Sequence, residues 1–160
     1  MIIKLFSISL FSLIHELIFC FSSLEAGKIG AAGVSNHLPS QWRRLQRHMY
    51  HPLRANQIEL SIAHSAPLFD GSFDDLGADG HAPMAWSPLA GGQLMQGEVS
   101  RVLNRLAGEL SSTPGALALA WLRTLPGRPA PVVGSVKPER IADMLNGPET
   151  LPRETWYELL

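Results

Sequence analysis

From residue 21 onward, short apolar runs alternate with stretches in which apolar residues recur every three or four positions. That alternation predicts βα units arranged around a parallel sheet. Four strands are expected, over residues 28–34, 55–60, 82–86 and 131–133. The third is apolar throughout, as suits a strand covered on both faces. Between them, Trp42, Leu45 and Met49 fall at helical spacing and predict a helix over about 39–48. The run Leu68-Phe69-Asp70-Gly71 reads as a turn into a short helix that stops near residues 77–80. Ala90-Gly91-Gly92 reads as a flexible loop, and Val102, Leu103, Leu106 and Leu110 mark another amphipathic helix. Thr113 is placed to N-cap a helix that opens on Pro114 and runs to Arg123. Ser135 is expected to cap a helix over about 137–145, and a last helix begins near Pro152. Four parallel strands do not close on themselves, so the outer two would carry unpaired backbone groups.

Residues 1–20 break this pattern, being dominated by Ile, Leu, Phe and Ser. Lys4 followed by the apolar run Leu5 to Ile14 resembles a signal peptide, but His15 and Glu16 follow directly and no small-x-small cleavage site precedes Gly27. As a membrane anchor the segment would have to bury Glu16. Leu10, Leu13, Ile14, Leu17 and Ile18 recur at helical spacing, so a substitute helix running into Ser22-Ser23-Leu24-Glu25 is a third reading, and a chance extension a fourth. Residues 21–29 read as the end of a helix leading into a strand, which puts the join near residue 20 and divides the chain into 1–20 and 21–160.

Composition narrows the field. At 160 residues the chain can build one domain with a real core. A net charge of −1 gives no reason to expect nucleic acid or an anionic membrane as partner, and Arg43, Arg44 and Arg47 read as a solvated helix face. Cys20 is the only cysteine, which excludes an intrachain disulfide and makes a reducing, cytoplasmic setting the default; export or anchoring through residues 1–20 is the alternative. His48 and His51 make no convincing metal site, since Pro52 follows at once and no carboxylate lies close.

Polar residues gather where each apolar run ends: Gly33-Val34-Ser35-Asn36 after Gly27-Lys28-Ile29, Asn56-Gln57-Ile58-Glu59, Met84-Ala85-Trp86-Ser87-Pro88-Leu89, and Val132-Val133-Gly134-Ser135 before Pro138-Glu139-Arg140-Ile141. In this order and spacing, residues 21–160 resemble the C-terminal half of the aldo-keto reductases. The resemblance implies an α/β fold, a partial (β/α)₈ barrel of about four parallel strands with helices, preceded by the hydrophobic N-terminal segment. A complete barrel takes roughly 250 residues, and its ligands sit at the C-terminal ends of the strands.

The resemblance also implies roles. Ser35, Asn36 and Gln57 would hydrogen-bond the carboxamide of a nicotinamide; by themselves they also read as turn chemistry. Trp86 would stack on the nicotinamide ring, where many relatives have Tyr; its other reading is a core aromatic. Ser87, Leu89 and Gly91-Gly92 would approach the pyrophosphate. Gly134, Ser135 and Arg140 would grip the 2′-phosphate of NADP(H), with the helix N-terminus after Ser135 helping and Lys137 adding charge. Many relatives carry Lys at the position of Gly134. Asp143 would lie near the adenine, and Met144 stands where Asn is usual.

The family's Asp, Tyr, Lys and His come from strands that precede those recognised here. Tyr50, Tyr157 and His15 do not match those positions, and no replacement set is found. The expectation is therefore a truncated aldo-keto reductase-like oxidoreductase that keeps much of the NADP(H) cradle, whose intact relatives reduce aldehydes and ketones. A carbonyl substrate would be a partner only with the missing half supplied. Two alternatives stay open: a non-catalytic cofactor-binding or interaction module that pairs through its open strand edges, with a second copy or another half barrel, and a decayed reading frame without function.

Overall fold

A computed structural model of the protein describes residues 3–6, 22–81 and 83–160. Five parallel strands form one sheet in sequential order: β1 (Ile3–Phe6), β2 (Ala31–Ser35), β3 (Leu53–Glu59), β4 (Met84–Trp86) and β5 (Ala130–Val132). Ser35 lies opposite Gln57, Glu59 opposite Trp86, and Trp86 opposite Val132, so the C-terminal ends of β2 to β5 run as one staggered row. The pairing of β2 with β3 shifts register between Ala32 and Val34. Helices α1 (Pro39–Gln46), α2 (Ser72–Ala78), α3 (Gly97–Glu109), α4 (Pro114–Thr124), α5 (Pro138–Leu145) and α6 (Arg153–Glu158) fill the connections.

Four of these strands are those the hydrophobic pattern predicts; the fifth is not. β1 comes from the segment whose composition sets it apart, and it pairs in parallel with β2, with Phe6 opposite Val34. The first expected strand also starts three residues late. A helical turn at residues 22–25 ends on Gly27, whose φ of +65° only glycine adopts freely. The Gly27 N–H donates to Leu24 O, and the Lys28 and Ile29 N–H groups donate to Ser23 O. Those donors close the helix C-terminus and are withdrawn from the sheet ladder. The segment read as a flexible loop is an ordered 3₁₀ turn, Ala90–Met95, with Gly91 and Gly92 both left-handed. Thr113 caps α4 as expected, its Oγ1 accepting the Ala116 N–H at 3.2 Å. Ser135 is not the cap of α5; Lys137 holds that position, and the Ser135 hydroxyl instead accepts the Lys137 N–H at 3.2 Å.

The core lies between the sheet and its helices. Ile58 and Ala85, on one face of the sheet, pack with Leu103 and Leu106 of α3 and Leu117 and Trp121 of α4. A second cluster seats Trp42 and Leu45 of α1 on Ala32, Val34 and Leu53. Seven consecutive residues of α4, Ala116 to Leu122, are buried, so this helix is covered all round by its neighbours. By strand alternation, Gln57, Glu59 and Trp86 stand on the face opposite Ile58 and Ala85, half-buried. No helix among the described residues is long and apolar enough to cross a membrane. Residues 7–21, which hold most of the signal, anchor and substitute-helix readings together with His15 and Cys20, lie outside the described residues.

Candidate functional site

The site begins at the turn that leaves β2. Asn36 takes a left-handed backbone (φ +55°), a conformation that Asn tolerates better than most side chains. Its N–H donates to Gln57 O at 2.8 Å, and the Ser35 hydroxyl donates to the same carbonyl at 3.1 Å. The next residue, His37, is buried. Its backbone is clamped by the Asn56 amide, which donates to His37 O at 2.7 Å and accepts from the His37 N–H at 3.4 Å. Ser35 O can only accept, so the His37 ring contact at 3.1 Å puts its proton on Nδ1. The effect is to bolt the Ser35–His37 turn onto β3.

Across the sheet, Trp86 closes β4 and donates its indole N–H to Asn36 Oδ1 at 2.9 Å. The chain then reverses sharply: Ser87 (φ +52°) and Ala90 (φ +49°) are left-handed without being glycine, ahead of Gly91 (φ +61°) and Gly92 (φ +91°). Strain of that kind, repeated within a few residues at strand ends, is a mark of functional sites. Trp86 borders two cavities. One, of about 630 Å³, runs from Trp86, Ser87 and Leu89 past Gly91 and Gly92 to Gly134, Ser135, Arg140 and Met144. The other, of about 210 Å³, lies on the Asn36 side and is edged by Glu59, His64 and Asp70.

Of the residues given cofactor roles from the sequence, Trp86, Ser87, Leu89, Gly91, Gly92, Gly134, Ser135 and Arg140 line the larger cavity. Ser35, Asn36 and Gln57 lie beside it, joined to Trp86 through Asn36. Asp143 is exposed and does not line it; the neighbouring Met144 does, being four residues from Arg140 and so on the same face of α5. A Cβ built on Gly91, Gly92 or Gly134 would meet no atom within 4 Å, so these three backbones face open space. Arg140 is exposed and has no salt-bridge partner among the described residues. In the first turn of α5, Pro138 has no N–H and the first intrahelical acceptor, Lys137 O, is taken by Ile141, which leaves the Glu139 and Arg140 N–H groups for a ligand or water. That end of the cavity can hold an anion, and the Trp86 end can hold a flat ring.

The raised guanidinium pKa values fall elsewhere. Arg43 on α1 is raised by hydrogen bonds to Asp79 and Asp75, and Arg105 on α3 by its hydrogen bond to Glu109. Tyr50 is exposed beyond α1 and Tyr157 packs edge-on against Trp156, so neither lines the two strand-end cavities. Sequence reasoning quoted Asn56 within a motif without giving it a role. The available signal was an Asn two residues before the buried Ile58 in a strand, where burial demands a partner. His37 carried no comparable signal.

Comparison with known proteins places these features. The sequence profile of the Aldo/keto reductase family matches residues 11–156, beginning inside the segment set apart by composition. The chain is 39% identical over 142 residues to a 6-dehydroglucose reductase of Agrobacterium fabrum, covering 85% of this chain and 47% of that protein. It is 35% identical over 142 residues to the oxidoreductase YdhF of Escherichia coli, covering 84% and 47%. The chain thus spans about half the length of the curated relatives it matches. Among solved structures, the thermostable aldo-keto reductase Tm1743 superposes with a TM-score of 0.80 at 25% identity, covering 98% of this chain and 58% of that one.

Proposed function

The chain belongs to the aldo/keto reductase family, and on that premise we propose that it is the cofactor-holding half of a carbonyl-reducing oxidoreductase, with NADP(H) laid along the ends of β2 to β5. The observation that carries this reading is the cavity of about 630 Å³ that joins an indole at one end to an exposed arginine and a helix N-terminus at the other. Its volume suits a dinucleotide-sized ligand. When bound, the reduced nicotinamide supplies a hydride to the carbonyl carbon.

The roles of the side chains follow from what each offers. Trp86 presents a flat face for the ring. Ser35, Asn36 and Gln57 hydrogen-bond the carboxamide, which has both a donor and an acceptor. Ser87, Leu89 and the bare backbone of Gly91 and Gly92 admit the pyrophosphate. Gly134, Ser135 and Arg140 receive the 2′-phosphate, Arg140 by paired charge-assisted hydrogen bonds and Lys137 by its charge. Met144, which lines the cavity where Asp143 does not, borders the adenine. The alkoxide left by hydride transfer needs a proton, and neither tyrosine lines the strand-end cavities. On this reading the cradle binds cofactor but does not turn over until another half barrel supplies the proton donor. The working compartment is the cytoplasm.

A second reading, a non-catalytic module that pairs with another half barrel or a second copy, draws on the sheet order. Among the described residues β1 and β5 each pair on one side only. The test is a titration of the purified chain with NADPH and NADH, followed by an assay for NADPH-dependent reduction of a carbonyl sugar and of a simple aldehyde. The expected result is saturable NADPH binding, weaker NADH binding and no turnover. No binding of either nucleotide would sink the cradle reading, and turnover by the chain alone would sink the claim that it lacks the proton donor. A dimer at the concentrations that bind NADPH would favour the pairing module.

A further inference from the structure

We propose that Trp86 is a positioning residue: its indole N–H fixes which way the Asn36 amide faces, so that the strand ends offer a preset order of donor and acceptor. The inference rests on the reading that these ends hold the nicotinamide carboxamide.

An indole nitrogen donates and never accepts. The Asn36 atom 2.9 Å from Trp86 Nε1 is therefore the amide oxygen, and turning the amide over would set its NH₂ against another donor. With Oδ1 engaged, Asn36 presents its NH₂ group to a ligand. The backbone supports that pose, since the left-handed Asn36 is tied down by its own N–H to Gln57 O at 2.8 Å. The same carbonyl accepts the Ser35 hydroxyl at 3.1 Å. That proton is engaged inside the protein, so Ser35 offers a ligand only its lone pairs. The pair thus meets a carboxamide with one donor, Asn36 Nδ2 for the C=O, and one acceptor, Ser35 Oγ for the NH₂. Neither polarity depends on the ligand being present. A phenylalanine at position 86 could supply a ring face but would leave Asn36 free to turn.

The test separates stacking from positioning with a double-mutant cycle read by calorimetry. NADPH reports on the whole ligand, and adenosine 2′,5′-bisphosphate reports on the phosphate end without the nicotinamide. Trp86→Phe is expected to weaken NADPH about tenfold, roughly one hydrogen bond's worth of affinity, with the bisphosphate unchanged. In an Asn36→Gly background, which relieves the left-handed backbone, the same change is expected to cost less than about twofold. Asn36→Asp keeps an oxygen for the indole but has no NH₂, and it should lose NADPH by a similar factor while binding the bisphosphate normally. Equal losses from Trp86→Phe in both backgrounds, or an Asn36→Asp protein that holds NADPH as the wild type does, would overturn the positioning role and leave the cofactor reading standing. A wild-type chain that binds neither ligand would overturn both.

Discussion

Asn56 is fully buried, and its amide closes both polar groups of the His37 backbone. Replacing it with Leu, a side chain of similar bulk that can do neither, leaves the His37 carbonyl and N–H without partners in a buried setting. The two bonds are not equal. The one to His37 O, at 2.7 Å, is short, whereas the one from the His37 N–H, at 3.4 Å, is near the limit of a useful hydrogen bond. Most of the loss therefore comes from orphaning the carbonyl, a penalty of about 1–3 kcal/mol, to which the longer bond adds a few tenths. A total of about 1.3–3.3 kcal/mol corresponds to a fall in Tm of roughly 3–13 °C in a chain of this size. Urea unfolding followed by tryptophan fluorescence measures it, and Asn56→Asp serves as the informative partner. The carboxylate can still accept the His37 N–H but cannot donate to His37 O, so it should cost at least as much as Leu, with the burden of a buried charge added. The turn that Asn56 secures carries Ser35 and Asn36, so NADPH affinity should fall in step with stability. An Asn56→Leu protein within about 0.5 kcal/mol of wild type would show that the clamp is not what holds this turn.

Two glycines, one within α4 and one packed against it, give opposite signs. A methyl at Gly147 would come within 2.5 Å of Ala116 Cβ, so Gly147→Ala should destabilise by about 1–3 kcal/mol in the same unfolding assay. A methyl at Gly115 meets Met144 Cγ at an ordinary 3.6 Å; there Gly115→Ala should be neutral or stabilise by up to about 1 kcal/mol, the usual helix preference. Arg140→Ala should weaken NADPH roughly 10- to 100-fold while leaving NADH unchanged, because the lost charge-assisted bonds go only to the 2′-phosphate. Arg43 is raised above its ordinary pKa by Asp79 and then Asp75. On the alkaline side its ion pairs therefore fade only as the pH climbs through the raised guanidinium value, and while both aspartates stay ionised nothing changes near neutrality. The stability difference between Arg43→Gln and wild type should accordingly stay small and flat between about pH 6 and 9.

How far the sequence could be read depended on whether a feature has a local cause. The strands at residues 31–35, 53–59, 84–86 and 130–132 announce themselves as apolar runs with polar ends, and α4 through Thr113 and Pro114. The row of polar strand ends was legible for the same reason, which is why Trp86, Ser87, Leu89, Gly134, Ser135 and Arg140 reappear around one cavity. β1 was not legible, because four residues inside a long apolar stretch carry no period of their own; only pairing with β2 selects them. The cap of α5 was misplaced by two residues because Ser135, Lys137 and Pro138 all fit a helix start, and the backbone alone decides among them. The Asn56 clamp was only half legible: an Asn in the buried strand demands a partner, but which one was hidden, because the His37 main chain lies 19 residues away and has no sequence signature.

The two ends of the cradle are held by different forces, and ionic strength can pull them apart. At α5 the recognition elements are an exposed guanidinium, an exposed Lys137 and two backbone N–H groups, all open to solvent and to counterions. Their attraction for phosphate should shrink as the screening length falls from about 10 Å at 0.1 M salt to about 3 Å at 1 M. At the ends of β2, β3 and β4 the elements are hydrogen bonds among Ser35, Asn36, Gln57 and Trp86, none of them charged, set by a turn that Asn56 clamps. Salt has little purchase there. Adenosine 2′,5′-bisphosphate binding should therefore fall steeply with added salt. The affinity ratio between NADPH and that bisphosphate, which isolates the nicotinamide end together with the pyrophosphate, should change far less. If that ratio fell as steeply as the bisphosphate affinity itself, charge would be holding the pyrophosphate and nicotinamide portion as well, and the division of forces between the two ends would be refuted.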